Sequence, residues 1–181
     1  MLDLAIRHEA ELQDLYQQTL FTEKYRFNMN YGAIDYNLEL SQDASIIQMV
    51  SIHQDHLIGY LSARINRDTN TAYDIHIMNF MAKNDIFTAD LFEFYIMLLN
   101  QFGIDRIVWN VIVGNPAEKL YDRLAENYGG RIVGTFKNDV RLYDGQLYDT
   151  KWYEMYKNQC MQAIKTKEVD GRSYRKAGDV I

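Results

Sequence analysis

The spacing of hydrophobic and polar positions changes several times along the chain, and each change predicts an element. Over residues 8–20, Ala10, Leu12, Leu15, Tyr16, Thr19 and Leu20 recur at helical spacing and predict an amphipathic helix. Residues 21–45 mix the aromatics Phe21, Tyr25, Phe27, Tyr31 and Tyr36 with polar positions, so a second helix and a loop over the core are expected there. From Ile46 the pattern turns to strands. Residues 46–53 and 57–66, joined by the polar turn Gln54-Asp55-His56, read as a β-hairpin rich in β-branched residues. A turn at 67–70 leads into a third antiparallel strand, 72–80. Alternation there predicts Tyr73, Ile75, Ile77 and Asn79 on one face and Asp74, His76 and Met78 on the other.

In the second half, residues 88–102 carry Leu91, Phe92, Tyr95, Ile96, Leu98 and Leu99 and predict a helix stopped by Gly103. The run 106–113 has the nearly continuous β-branched character of a central strand covered on both faces. Residues 117–128 follow, with Leu120, Tyr121 and Leu124 on a shared helical face, Pro116 suited to the first turn and Asn115 able to cap it. Gly129-Gly130 end that helix. Two closing strands, 131–143 and 146–156, flank Asp144-Gly145, a strong hairpin signal. Trp152, Tyr153 and Tyr156 on the last of them are expected to pack on the sheet as core. A short helix over 157–167 and a polar tail complete the chain, giving an α/β mixed sheet. The division expected is one domain over 1–156, then a helix and tail over 157–181.

Composition adds exclusions. The 181 residues suffice for one ordinary core, and 48% apolar with 24% charged residues is globular usage. Cys160 is the only cysteine, which rules out an internal disulfide and a multi-cysteine zinc site. With no secretion signal and no apolar run of membrane-spanning length, a soluble cytoplasmic protein without membrane contact is expected. The net charge of −6 argues against nucleic-acid binding. Residues 151–181 hold seven Lys or Arg against four Asp or Glu, leaving an acidic body that favours small cationic partners. His8, His53 and His56 lack metal-ligand spacing, and no metal is expected.

The segment Ile107-Val-Trp-Asn-Val-Ile-Val-Gly-Asn115-Pro-Ala-Glu-Lys-Leu120-Tyr121-Asp-Arg-Leu124, with Leu57-Ile58-Gly59-Tyr60 and the Asp144-Gly145 hairpin, resembles the GNAT N-acetyltransferase superfamily over about residues 46–156. The resemblance implies a GNAT-like, mainly antiparallel twisted sheet with helices on both faces. It also implies transfer of an acetyl group from acetyl-CoA to an amine, on a small molecule or a peptide, by direct attack. Asn115 would contact the pantetheine arm and Tyr121 would protonate the departing thiolate. Direct attack needs a base, and Asp74 and His76 are the candidates, with Tyr73 and Asn110 behind them. The bland alternatives are an Asn cap with a core tyrosine, and an exposed Asp74 beside a His76 bonded into the sheet.

One stretch departs from the family's pattern. Its pyrophosphate loop has closely spaced glycines, but here no glycine falls between Gly59 and Gly103. Asn79, Phe80 and Met81 at the strand end, Lys83, Asn84 and Thr88, and the backbone amides of residues 86–89 would have to hold the cofactor instead. Two readings follow: a divergent enzyme, or a GNAT-like interaction or assembly module that has lost coenzyme A, as in tailed-phage proteins. Host cytoplasm or virion would be the location if the chain is phage-encoded. An RNA- or protein-binding module unrelated to the family is a third class, and edge-strand pairing into a homodimer or larger assembly is compatible with either of the first two.

Overall fold

The computed structural model describes residues 1–28, 36–81 and 85–169. Alternating apolar positions form seven strands: β1 (Leu2–Leu4), β2 (Ile46–His53), β3 (His56–Asn66), β4 (Thr71–Asn79), β5 (Arg106–Ile112), β6 (Gly130–Arg141) and β7 (Leu147–Tyr156). Four α-helices accompany them: α1 (Glu9–Thr19), α2 (Asp85–Asn100), α3 (Glu118–Asn127) and α4 (Lys157–Val169). The strands make one sheet in the order β1-β2-β3-β4-β5-β7-β6, antiparallel except for the β4–β5 pair. The expected mixed, mainly antiparallel sheet is present.

Helices cover both faces. Leu12 of α1 packs on one face against Val50, Leu57, Tyr60 and Met78. On the other, α2 and α3 bring Leu91, Tyr95, Leu98, Tyr121 and Leu124 against Leu61, Ile107, Trp109 and Tyr153, and Cys160 of α4 joins the same core. α2 is apolar around much of its surface because Phe87, Leu91, Phe92, Phe94, Tyr95, Leu98 and Leu99 are all buried. It stops where Gly103 adopts φ +66°, which lets the Ile104 N–H donate back to the Leu98 carbonyl at 3.1 Å.

Several expectations change. β5 is not buried on both faces: Ile107, Trp109 and Val111 are buried, whereas on the other side Asn110 is exposed and Val108 and Ile112 are only half-buried. The second helix expected within 21–45 is a short 3-10 helix, Glu23–Asn28; residues 29–35, including Tyr31, lie outside the described residues. Tyr156 is 40% exposed, so of the three aromatics of β7 expected as core only Tyr153 is fully buried. Strand β1 was not expected; three residues are too few to show a period, and pairing with β2 defines it. Among the described residues, no helix is long and apolar enough to cross a membrane.

Candidate active site

The opening between β4 and β5 is the feature around which the candidate residues gather. These parallel strands pair only at Thr71↔Arg106 and Ala72↔Ile107. Beyond that point β4 continues along β3, through Asn79 opposite Gly59, while β5 continues along β7, through Ile112 opposite Thr150. The two central strands therefore part after their first residues, exposing main-chain edges that no neighbouring strand satisfies.

A bulge re-aims β4 on the α1 side of this opening. Tyr73 stands opposite Arg64 and His76 opposite Ser62, so two residues, Asp74 and Ile75, face Ala63 alone, and Asp74 takes φ +50°. The expected alternation is broken there. Tyr73 moves to the face of His76, and Asp74 turns to Arg64, whose Nε lies 3.0 Å from Asp74 Oδ2. Ile75 and Ile77 remain on the α2 side. His76 is half-buried, with its ring edge-on to Tyr60 at 6.0 Å. Burial pulls the imidazole below its ordinary value, and the Asp74 carboxylate partly offsets this. The bulge leaves Asp74 exposed and paired with Arg64, His76 half-buried against Tyr60, and Asn110 exposed on β5.

Tyr121 lies on the opposite face. It is 6% exposed on α3, edge-on to Trp109 at 6.5 Å and to Tyr153 at 6.1 Å, and burial pushes its phenol well above the ordinary value. It is protonated throughout the physiological range. Trp109 and Tyr153 stack at 5.3 Å, nearly parallel. α3 is fixed over this layer by charge: Lys151 Nζ on β7 lies 2.6 Å from Asp122 Oδ1 and 3.3 Å from Glu118 Oε1, and the Tyr153 hydroxyl donates to the same Asp122 oxygen at 2.9 Å. Only 16% of the Lys151 side chain is exposed, so this network is screened less than a surface pair. Sequence reasoning passed over Lys151 and Asp122, which lie 29 residues apart with no local pattern joining them.

The strand ends hold the residues assigned to the cofactor. Asn115 Oδ1 accepts from the Ala117 N–H at 2.9 Å, a turn that precedes α3; the helix itself begins at Glu118 with no side-chain cap, so Asn115 tightens the approach to the helix and does not cap it. At the end of β4, Asn79 Oδ1 accepts from the Met81 N–H at 3.0 Å and the Phe80 N–H donates to the Ile58 carbonyl at 3.0 Å. The Tyr25 hydroxyl donates to the Phe80 carbonyl at 3.0 Å, and Lys24 Nζ donates to the Met81 carbonyl at 2.8 Å. Lys24 and Tyr25 come from the short 3-10 helix, in the stretch whose sequence gave no clear period. Thr88 lies half-buried near the start of α2; Lys83 and Asn84 lie outside the described residues. Among the described residues, no group of three His, Cys, Asp or Glu could hold a metal ion.

No protein-family model matches the chain, and no curated protein matches it by sequence. Solved structures do. Spermidine N-acetyltransferase from Vibrio cholerae, in complex with CoA and spermine, superimposes with a TM-score of 0.69 at 16% identity, over 89% of this chain and 97% of that one. A chimera of that enzyme with hSSAT gives 0.66 at 16% identity, over 89% and 98%. A variant of the V. cholerae enzyme gives 0.56 at 20% identity, over 66% and 69%. At these identities the likeness establishes the fold: the parting of β4 from β5 belongs to a GNAT-like sheet.

Proposed function

From this GNAT-like fold, we propose that the protein is an acetyl-CoA-dependent N-acetyltransferase acting on an amine by direct attack. The observation that carries the reading is the opening between β4 and β5, with the His76 imidazole on one face and the buried Tyr121 phenol on the other. That the chain's fold is shared with spermidine N-acetyltransferase supports an amine acceptor. When bound, acetyl-CoA supplies an acyl thioester. The open strand edges, Asn115 and the start of α2 are the groups that would hold it; the main chain beyond Ala72 and Ile107, where among the described residues β4 and β5 do not pair with each other, fits a ligand that runs along strands.

The chain's own residues have separable tasks. An amine is protonated at neutral pH and cannot attack in that form, so His76, neutral because burial depresses its basicity, would take that proton before the new N–C bond forms. Asp74 opposes that depression and keeps the imidazole basic enough to hold the proton. Tyr121, whose phenol burial keeps protonated, would supply a proton to the leaving sulfur. Calorimetric titration with acetyl-CoA, together with CoA release on a panel of amines, tests the reading. An absence of binding would sink it.

The pH profile tests the base separately. A lowered imidazole pKa places the acid limb of kcat/KM below about pH 6.5. Asp74→Asn removes the group that raises the pKa, so the limb is expected to move further toward acid. The same sign makes the fold lose stability as pH falls through this window, because the unfolded chain binds the proton first. A limb at or above pH 6.5, or one unmoved in the variant, would exclude His76.

A second reading rests on the end of β4, where Tyr25 and Lys24 already satisfy the Phe80 and Met81 carbonyls. Together with the glycine-free loop, that closure favours an interaction or assembly module without coenzyme A. Wild type and a Lys24→Ala/Tyr25→Phe variant distinguish the two. If neither binds acetyl-CoA, the module reading stands; binding by wild type removes it.

A further inference from the structure

Two buried donors beside Tyr121 have no acceptor among the described residues. The Trp109 indole N–H and the Tyr95 hydroxyl have no hydrogen-bond partner among the described residues, although Trp109 is 2% exposed and Tyr95 fully buried. Native folds pair nearly all such groups, and leaving one dry is costly, so each calls for an acceptor beyond the described residues. Their rings adjoin, with centroids 5.5 Å apart, and Trp109 also meets Tyr121 edge-on.

Their place in the fold points to the acceptor. Ile107 is the last β5 residue paired with β4, and Trp109 is the next to face the α2 side, just past the point where the strands part. From α2, the Tyr95 ring packs against that of Trp109. We propose that Tyr95 and Trp109 form, beside Tyr121, a subsite for one neutral acceptor, the carbonyl oxygen of the acyl thioester. The proposal rests on the acetyltransferase reading and goes beyond it by assigning a grip on the acyl group. Both donors are neutral and set among apolar side chains, which suits a carbonyl; an anion buried there would need a cation beside it. Burial and the nearby Tyr121 phenol push Tyr95 well above its ordinary value, so its proton stays available for donation.

Equilibrium binding of acetyl-CoA and of S-ethyl-CoA, a thioether of similar shape with no carbonyl oxygen, tests this. Wild type is expected to favour acetyl-CoA by about 3- to 10-fold, the value of one or two neutral hydrogen bonds. Tyr95→Phe, which preserves the ring, and Trp109→Phe should each shrink that preference while S-ethyl-CoA affinity stays within about twofold. The melting temperature of ligand-free Tyr95→Phe should not fall, since the hydroxyl removed has no partner in the fold. A preference that persists in both variants would assign the donors to an ordered water only and overturn the subsite, leaving the enzyme reading intact. A fall in the ligand-free melting temperature would likewise overturn it. Wild type that binds neither compound would remove the acetyltransferase reading and the subsite with it.

Discussion

Replacing Tyr121 by Phe is expected to lower kcat about 100-fold while changing acetyl-CoA affinity less than about twofold, the scale of a lost general acid. The substitution is conservative in packing. The ring keeps its edge contacts with Trp109 and Tyr153, and α3 keeps its anchor through Lys151, Asp122 and the Tyr153 hydroxyl. What disappears is the phenolic proton that burial holds in place and that the proposed reaction would deliver to the sulfur. An interaction made only in the transition state lowers kcat and kcat/KM together, so the two should fall in parallel. CoA release measured against acetyl-CoA concentration reads both. Equal turnover would return Tyr121 to the role of a core tyrosine under β5; a raised KM with unchanged kcat would make it a binding residue.

Different kinds of signal decided what the sequence could disclose about this site. Local chemistry was legible: β2 falls on its expected bounds, and the Asp144-Gly145 turn forms as expected, with Gly145 at φ +79° and Asp144 Oδ1 accepting from the Gln146 N–H. The resemblance around Asn115 and Tyr121 located the β5–α3 junction beside the opening. Features made by long-range contact were not legible. The bulge at Asp74 has no glycine to announce it, yet it moves Tyr73 to the face of His76. The β-branched run of β5 suggested cover on both faces, but composition does not show that Asn110 stays exposed. Lys24 and Tyr25 reach Phe80 and Met81 across more than 50 residues. Hydrogen bonds of that separation leave no period, so the closure of the β4 end appears only in three dimensions.

Gly59→Ala is expected to destabilise the fold by about 3 kcal/mol, at the upper end for forcing extra volume into a packed interior. A Cβ at this position of β3 would stand 2.0 Å from Phe87 Cε2, 2.5 Å from Phe87 Cδ2 and 2.8 Å from the Met78 carbonyl oxygen. Phe87 is 5% exposed, so its ring cannot turn aside into solvent. The Met78 oxygen belongs to the backbone of the β3–β4 ladder and can move only with the strand. Urea unfolding should show a lower midpoint at unchanged slope, because the loss lies in native packing and not in the surface exposed on unfolding. Gly59→Ala combined with Phe87→Leu should recover part of the loss, a coupling expected of side chains that compete for one space. The damage would also reach the site. Gly59 faces Asn79 at the end of β4, and Phe87 lies in the first turn of α2, so a displaced ring pushes apart two elements that border the β4–β5 opening. Acetyl-CoA binding should therefore weaken in Gly59→Ala and return in the double variant. A single variant within about 0.5 kcal/mol of wild type would mean that Phe87 yields freely and that α2 is not held over β3 by this contact.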